Sequence, residues 1–152
     1  SVIVTDTNMA LAGISKPTLA RLGGQARCFM AEPSVAEDAR EQGTTRAAVS
    51  MDRALREYPK AVLAVGNAPT ALLRIVELLE AGARPALVIG VPVGFVNVVE
   101  SKERLLEACL RYEVPAIVAL GRKGGSSVAA AICNALLYTA AGQLDPGDRG
   151  WH

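Results

Sequence analysis

Histidine is all but missing from this chain of 152 residues: the only one is His152, the last residue. Chemistry that runs through an imidazole, whether a Ser-His-Asp set or a Cys-His pair, therefore has no donor inside the body of the sequence. Aromatic residues are scarce as well, at 4%, which excludes a stacking platform for single-stranded nucleic acid. The three cysteines, Cys28, Cys109 and Cys133, are odd in number, far apart and free of Cys-x-x-Cys spacing. Neither a disulfide framework nor a zinc site is indicated, and a reducing cytosol is the setting that fits. No run of the sequence reaches the about 18 apolar residues of a membrane helix, and its first residues lack the basic start of a secretion signal. Charge of one sign is also lacking. Sixteen basic and fifteen acidic residues leave a net charge of +1 with no long run of either, so no polyelectrolyte partner is implied.

What is present is aliphatic. Half the residues (51%) are hydrophobic, enough for one compact domain with a substantial core. Five short apolar runs, residues 2–5, 26–30, 61–65, 86–89 and 116–120, read as buried strands. Between them lie helical patterns over residues 16–22, 44–58, 69–81, 99–112 and 126–141, the first two amphipathic and the last, rich in alanine, reading as a core helix. Strands alternating with helices imply right-handed crossovers, hence an α/β fold: a single three-layer domain with a mainly parallel sheet flanked by helices. The domain is expected to span residues 1–141. Residues 142–152, with Asp-Pro-Gly-Asp-Arg-Gly and no apolar period, read as a flexible tail in which Trp151 and His152 dangle.

Three glycine-rich turns fall where strands should end: Gly66-Asn67-Ala68-Pro69-Thr70, Gly90-Val91-Pro92-Val93-Gly94-Phe95 and Gly121-Arg122-Lys123-Gly124-Gly125-Ser126. In an open parallel sheet, ligands bind outside the carboxyl ends of the strands, and glycine lets backbone N–H groups approach an anion. Asn67 is a natural helix cap, and capping alone also accounts for it. The third turn joins two cations to a glycine pair and a serine at a helix start, a composition suited to carboxylate or phosphate. It lacks both the Walker spacing and the dinucleotide fingerprint. Glu100 at a helix start, Asp6 after the first strand and Thr45-Arg46 are explicable as caps and dipole partners, and equally as liners of the crevice. On residue chemistry alone the chain is an α/β domain that binds a small anion.

The ordered set Asp6-x-Asn8-Met9, Gly43-x-Thr45-Arg46, Gly66-Asn67-Ala68-Pro69-Thr70-Ala71-Leu72, Gly90-Val91-Pro92-Val93-Gly94-Phe95, Glu100-Ser101-Lys102 and Gly121-Arg122-x-Gly124-Gly125-Ser126 closely resembles the precorrin-8X methylmutase family, in family order from Ser1 to about Ala141. The resemblance implies a cytoplasmic, homodimeric isomerase of cobalamin biosynthesis. Its substrate is precorrin-8X or cobalt-precorrin-8, its reaction a methyl shift between ring carbons 11 and 12, and it needs no added cofactor. Matched residue by residue, it makes Thr45, Arg46, Asn67, Ala68, Thr70, Val93, Gly94, Phe95, Glu100, Lys102, Arg122, Lys123, Gly124, Gly125 and Ser126 the substrate-binding set. Arg46, Arg122 and Lys123 would hold peripheral carboxylates, with Val93 and Phe95 as an apolar wall.

The resemblance also places the family's proposed catalytic histidine in a segment upstream of the stretch matching Ser1 to Asp6. The strand that opens at the first residues makes a truncated chain the expectation. The alternative is a non-catalytic α/β module that binds a corrinoid or another small polyanion.

Overall fold

The computed structural model describes residues 2–142. In chain order the elements are β1 (Val2–Thr5), α1 (Asn8–Gly13), α2 (Lys16–Arg21), β2 (Gln25–Cys28), α3 (Pro33–Gln42), α4 (Arg46–Glu57), β3 (Val62–Val65), α5 (Pro69–Glu80), β4 (Leu87–Gly90), α6 (Val98–Arg111), β5 (Ala116–Val118) and α7 (Ser126–Ala140). The strands form one sheet in the order β2-β1-β3-β4-β5, with every pairing parallel. The expected three-layer α/β fold is thus observed. The proposed tail and the placement of Trp151 and His152 lie outside the described residues.

Successive strand residues face opposite sides of the sheet, and each side has its own core. Val4, Leu63, Val65 and Val88 pack with residues of α3, α4, α5 and α6. Ile3, Ala64 and Ile89 turn the other way onto Ile14, Leu19 and the α7 residues Ala129, Ala130, Cys133 and Leu137. Along α5, Leu72, Ile75 and Leu79 fall at helical spacing and are fully buried, each stabilising the fold by about 1.5–3 kcal/mol.

Two helices escape the pattern reading. In α1 only Ala10 is buried, and the helix is set by Thr7, whose side chain accepts the N–H of Ala10. In α3 the buried face is just Val35 and Ala39, too narrow to register as an apolar stripe. Its ends are nevertheless marked by Pro33 in the first turn and by Gly43 at φ 65°. The second strand ends at Cys28, short of the expected residue 30, because its pairing with β1 stops where Thr5 meets Cys28.

The alanine-rich α7 packs closely on α1: a Cβ on Gly13 would lie 2.8 Å from that of Ala130. Asn134, polar on an otherwise apolar helix, accepts the N–H of Ser15 at 2.7 Å and donates to the carbonyl of Gly13 at 2.9 Å. It thereby satisfies backbone groups that the end of α1 leaves open. Helix α7 is a core helix of this domain, as the sequence indicated.

Candidate functional site

The carboxyl ends of β1, β3, β4 and β5 bring four loops to one edge of the sheet, and the starts of α4, α5, α6 and α7 lie along the same edge. Asp6 follows β1 with its side chain wholly buried. Its Oδ1 accepts the N–H of Gly66 at 2.9 Å, and its Oδ2 accepts those of Asn67 at 2.9 Å and Ala68 at 2.8 Å. These are the N–H groups that lead into α5, which the sequence reading left open to a ligand. The protein supplies its own anion there. Burial pushes the Asp6 carboxyl up from its ordinary range, and the N–H groups it holds oppose that shift without cancelling it. The expected Asn67 cap is corrected: Ala68 is the cap residue, it makes no side-chain cap bond, and Asn67 is exposed.

In this strand order the topological switch point lies between β1 and β3. The first turn of α7 sits over it. A Cβ on Gly66 would come within 2.7 Å of the Gly125 carbonyl oxygen and of the Ser126 Cα. Thr7 Oγ1 and Ser126 Oγ share a hydrogen bond of 2.8 Å. Gly66 therefore lets a helix, not a ligand, approach the strand end.

The β4–α6 and β5–α7 loops are joined in the same way. Gly125 N–H donates to the Val91 carbonyl at 2.8 Å, and Gly94 N–H to that of Arg122 at 3.4 Å. A Cβ on Gly124 would lie 2.0 Å from the Val91 oxygen and 2.8 Å from its carbonyl carbon, so only glycine fits. Lys102 rises from α6 beneath this junction, 0% exposed. Its Nζ donates to the carbonyls of Gly121 at 2.8 Å and Lys123 at 2.9 Å. Lys102 is thus committed to the backbone beneath the site, a correction to its expected place against the ligand. Glu100, two residues earlier, is exposed at the head of α6, where the helix dipole favours an acid.

What remains open is the rim. Val93 is 45% exposed, Phe95 84%, Val96 79% and Leu120 62%. The Arg122 guanidinium lies 6.0 Å from the centre of the Phe95 ring, at the outer limit of a cation–π contact. Arg122 and Lys123 are both exposed. Val96 and Leu120 were missed in the sequence reading, although both continue apolar runs at the glycine turns. Farther along the edge, Thr45 caps α4 by accepting the N–H of Ala48 and pairs with Thr70 through their hydroxyls at 3.0 Å. Exposed Arg46 lines a separate hollow of about 320 Å³ with Ala36, Ala39, Arg40 and Thr44. Among the described residues, no hydrogen bond or ring contact joins the Thr45–Thr70 group to the Phe95–Arg122 group. Chemically, the edge offers an apolar face bordered by cations, suited to a flat molecule with anions on its margin.

Residues 1–139 match the family model described as precorrin-8X methylmutase. The chain belongs to the precorrin-8X methylmutase family. It is 53% identical over 138 residues to the cobalt-precorrin-8 methylmutase of Salmonella typhimurium, covering 90% of this chain and 62% of that protein. It is 41% identical over 137 residues to the precorrin-8X methylmutase of Pseudomonas aeruginosa, covering 90% of this chain and 64% of that one. The crystal structure of precorrin-8X methylmutase from Thermus thermophilus superimposes with a TM-score of 0.80 at 40% identity, over 95% of this chain and 69% of that one. The chain thus spans 62% and 64% of the length of these two curated relatives. Among the described residues, no helix is long and apolar enough to cross a membrane.

Proposed function

We propose that this chain is the substrate-holding α/β body of a precorrin-8X methylmutase. The enzyme would be an isomerase moving a methyl group between ring carbons 11 and 12 of precorrin-8X, or of its cobalt counterpart, in cobalamin biosynthesis. The observation that carries the reading is the family match over residues 1–139, and the open rim of Phe95 beside Arg122 gives it a physical form. A methyl migration asks the protein to hold a large, flat, carboxylate-edged ring in one shape and to place a proton on it. Val93, Phe95, Val96 and Leu120 face the ring. Arg122, Lys123 and Arg46 meet its carboxylates, and the paired Thr45 and Thr70 hydroxyls offer neutral contacts. The proton donor is assigned to no described residue, since Asp6 and Lys102 are both committed to backbone groups.

We also propose that the working form is a cytoplasmic homodimer. Support for the homodimer comes from the large exposure of Phe95 and Val96: a second copy packed beside the site would close over the part of these side chains that the ring leaves uncovered.

The test is absorbance titration with hydrogenobyrinate, the coloured product. Arg122→Leu and Arg46→Leu should each weaken binding by about 10- to 100-fold, the worth of one charge-assisted contact. Unchanged affinity in both refutes the anchoring role. Conversion of precorrin-8X supports the isomerase, whereas tight binding without conversion favours a corrinoid-binding module.

A further inference from the structure

The buried ammonium of Lys102 has no carboxylate within ion-pair distance among the described residues, since none of the ion pairs there includes it. A cation so placed is unfavourable unless its hydrogen bonds repay the loss of water. Both of its acceptors belong to the turn that carries Arg122 and Lys123. That turn is shaped by Gly121 at φ 89° and Gly125 at φ 127°. All its peptide bonds are trans, so drawing the carbonyls of Gly121 and Lys123 toward Nζ turns the N–H groups of Arg122 and Gly124 away from it. Neither N–H is paired within the described residues. Burial lowers the pKa of Lys102, which reflects how poorly this position is solvated.

Resting on the function proposed above, we propose that Lys102 is a positioning residue for the anion-holding rim. It fixes the β5–α7 turn so that the Arg122 and Gly124 amides and the two neighbouring cationic side chains face outward, and it adds an uncompensated positive charge beneath them. The carboxylates of the ligand would then supply the counter-charge that the fold withholds. Lys102 itself touches no ligand.

Two variants separate geometry from charge. Lys102→Met removes both, and Lys102→Gln keeps a donor for one carbonyl without the charge. Amide hydrogen exchange over residues 121–126 reads the turn with no ligand present. We expect about tenfold faster exchange there in Lys102→Met and a smaller rise in Lys102→Gln, with residues 66–68 unchanged. Titration with hydrogenobyrinate and with its fully esterified, uncharged form reads the charge. Both variants should bind the acid about tenfold more weakly, and Lys102→Gln should bind the ester as the wild type does.

Unchanged exchange and unchanged affinity for the acid would overturn the proposal. Equal losses for acid and ester in Lys102→Gln would overturn its charge component. If Lys102→Met does not fold, Lys102→Gln carries both readings. If the wild-type protein binds neither form, the proposed function has failed, while the exchange result still decides whether Lys102 holds the turn.

Discussion

Replacing Asp6 with asparagine keeps the volume of a fully buried side chain and changes only its hydrogen-bonding character. In the wild type one carboxylate oxygen holds Gly66 N–H and the other holds Asn67 and Ala68 N–H. An asparagine has one acceptor oxygen. Turned toward Asn67 and Ala68, it aims its NH2 at the Gly66 N–H, so that two donors face each other. Turned the other way, it strands two N–H groups. The better orientation loses one bond to a charged acceptor, about 1.5–3 kcal/mol, and weakens the two that remain. Against this stands relief from burying a carboxylate, which burial already disfavours. The net expectation is a loss of about 2–4 kcal/mol, or a melting point lower by about 5–15 °C in a chain of this size. Urea unfolding followed by far-ultraviolet circular dichroism at pH 7 measures it. A midpoint within about 0.5 kcal/mol of the wild type would refute the view that Asp6 holds the head of α5.

Two further perturbations test the loops and the core. Gly124→Ala places a methyl group against the Val91 backbone, which cannot move aside as a side chain can. It should cost about 1–3 kcal/mol in urea unfolding, and a stability equal to wild type would mean the two loops are not in register as described. Cys109 and Cys133 are buried, and burial pushes both thiols up to about 11. At pH 8 only about one in a thousand of each is ionised. Iodoacetamide followed by mass spectrometry should therefore modify half-buried Cys28 first and the other two only after unfolding. Early labelling of Cys133 would contradict the packing of α7 on the sheet.

The run of β-branched residues in β1, the aliphatic stripes of α4 and α5 and the glycine turns between them are local signals. Periodicity and turn chemistry reveal them without knowledge of neighbours. So the sequence by itself determined the α/β class, five strand positions to within two residues, and the order of motifs that resemble the family. Helices α1 and α3 were not legible, because each buries one or two residues and depends on contacts made elsewhere in the chain.

The roles of single polar residues were legible least of all. Asp6 and Glu100 look alike in the sequence, each an acid beside a strand end or helix start. Only the parallel pairing of β1 with β3 carries the Asp6 carboxylate to three N–H groups about 60 residues away, while Glu100 stays in solvent. Lys102 and Lys123 likewise differ only once α6 is packed under the β5–α7 turn, burying one ammonium and exposing the other. Hydrogen-bond partners distant in the chain are set by sheet order and helix packing, and these are properties of the tertiary structure alone.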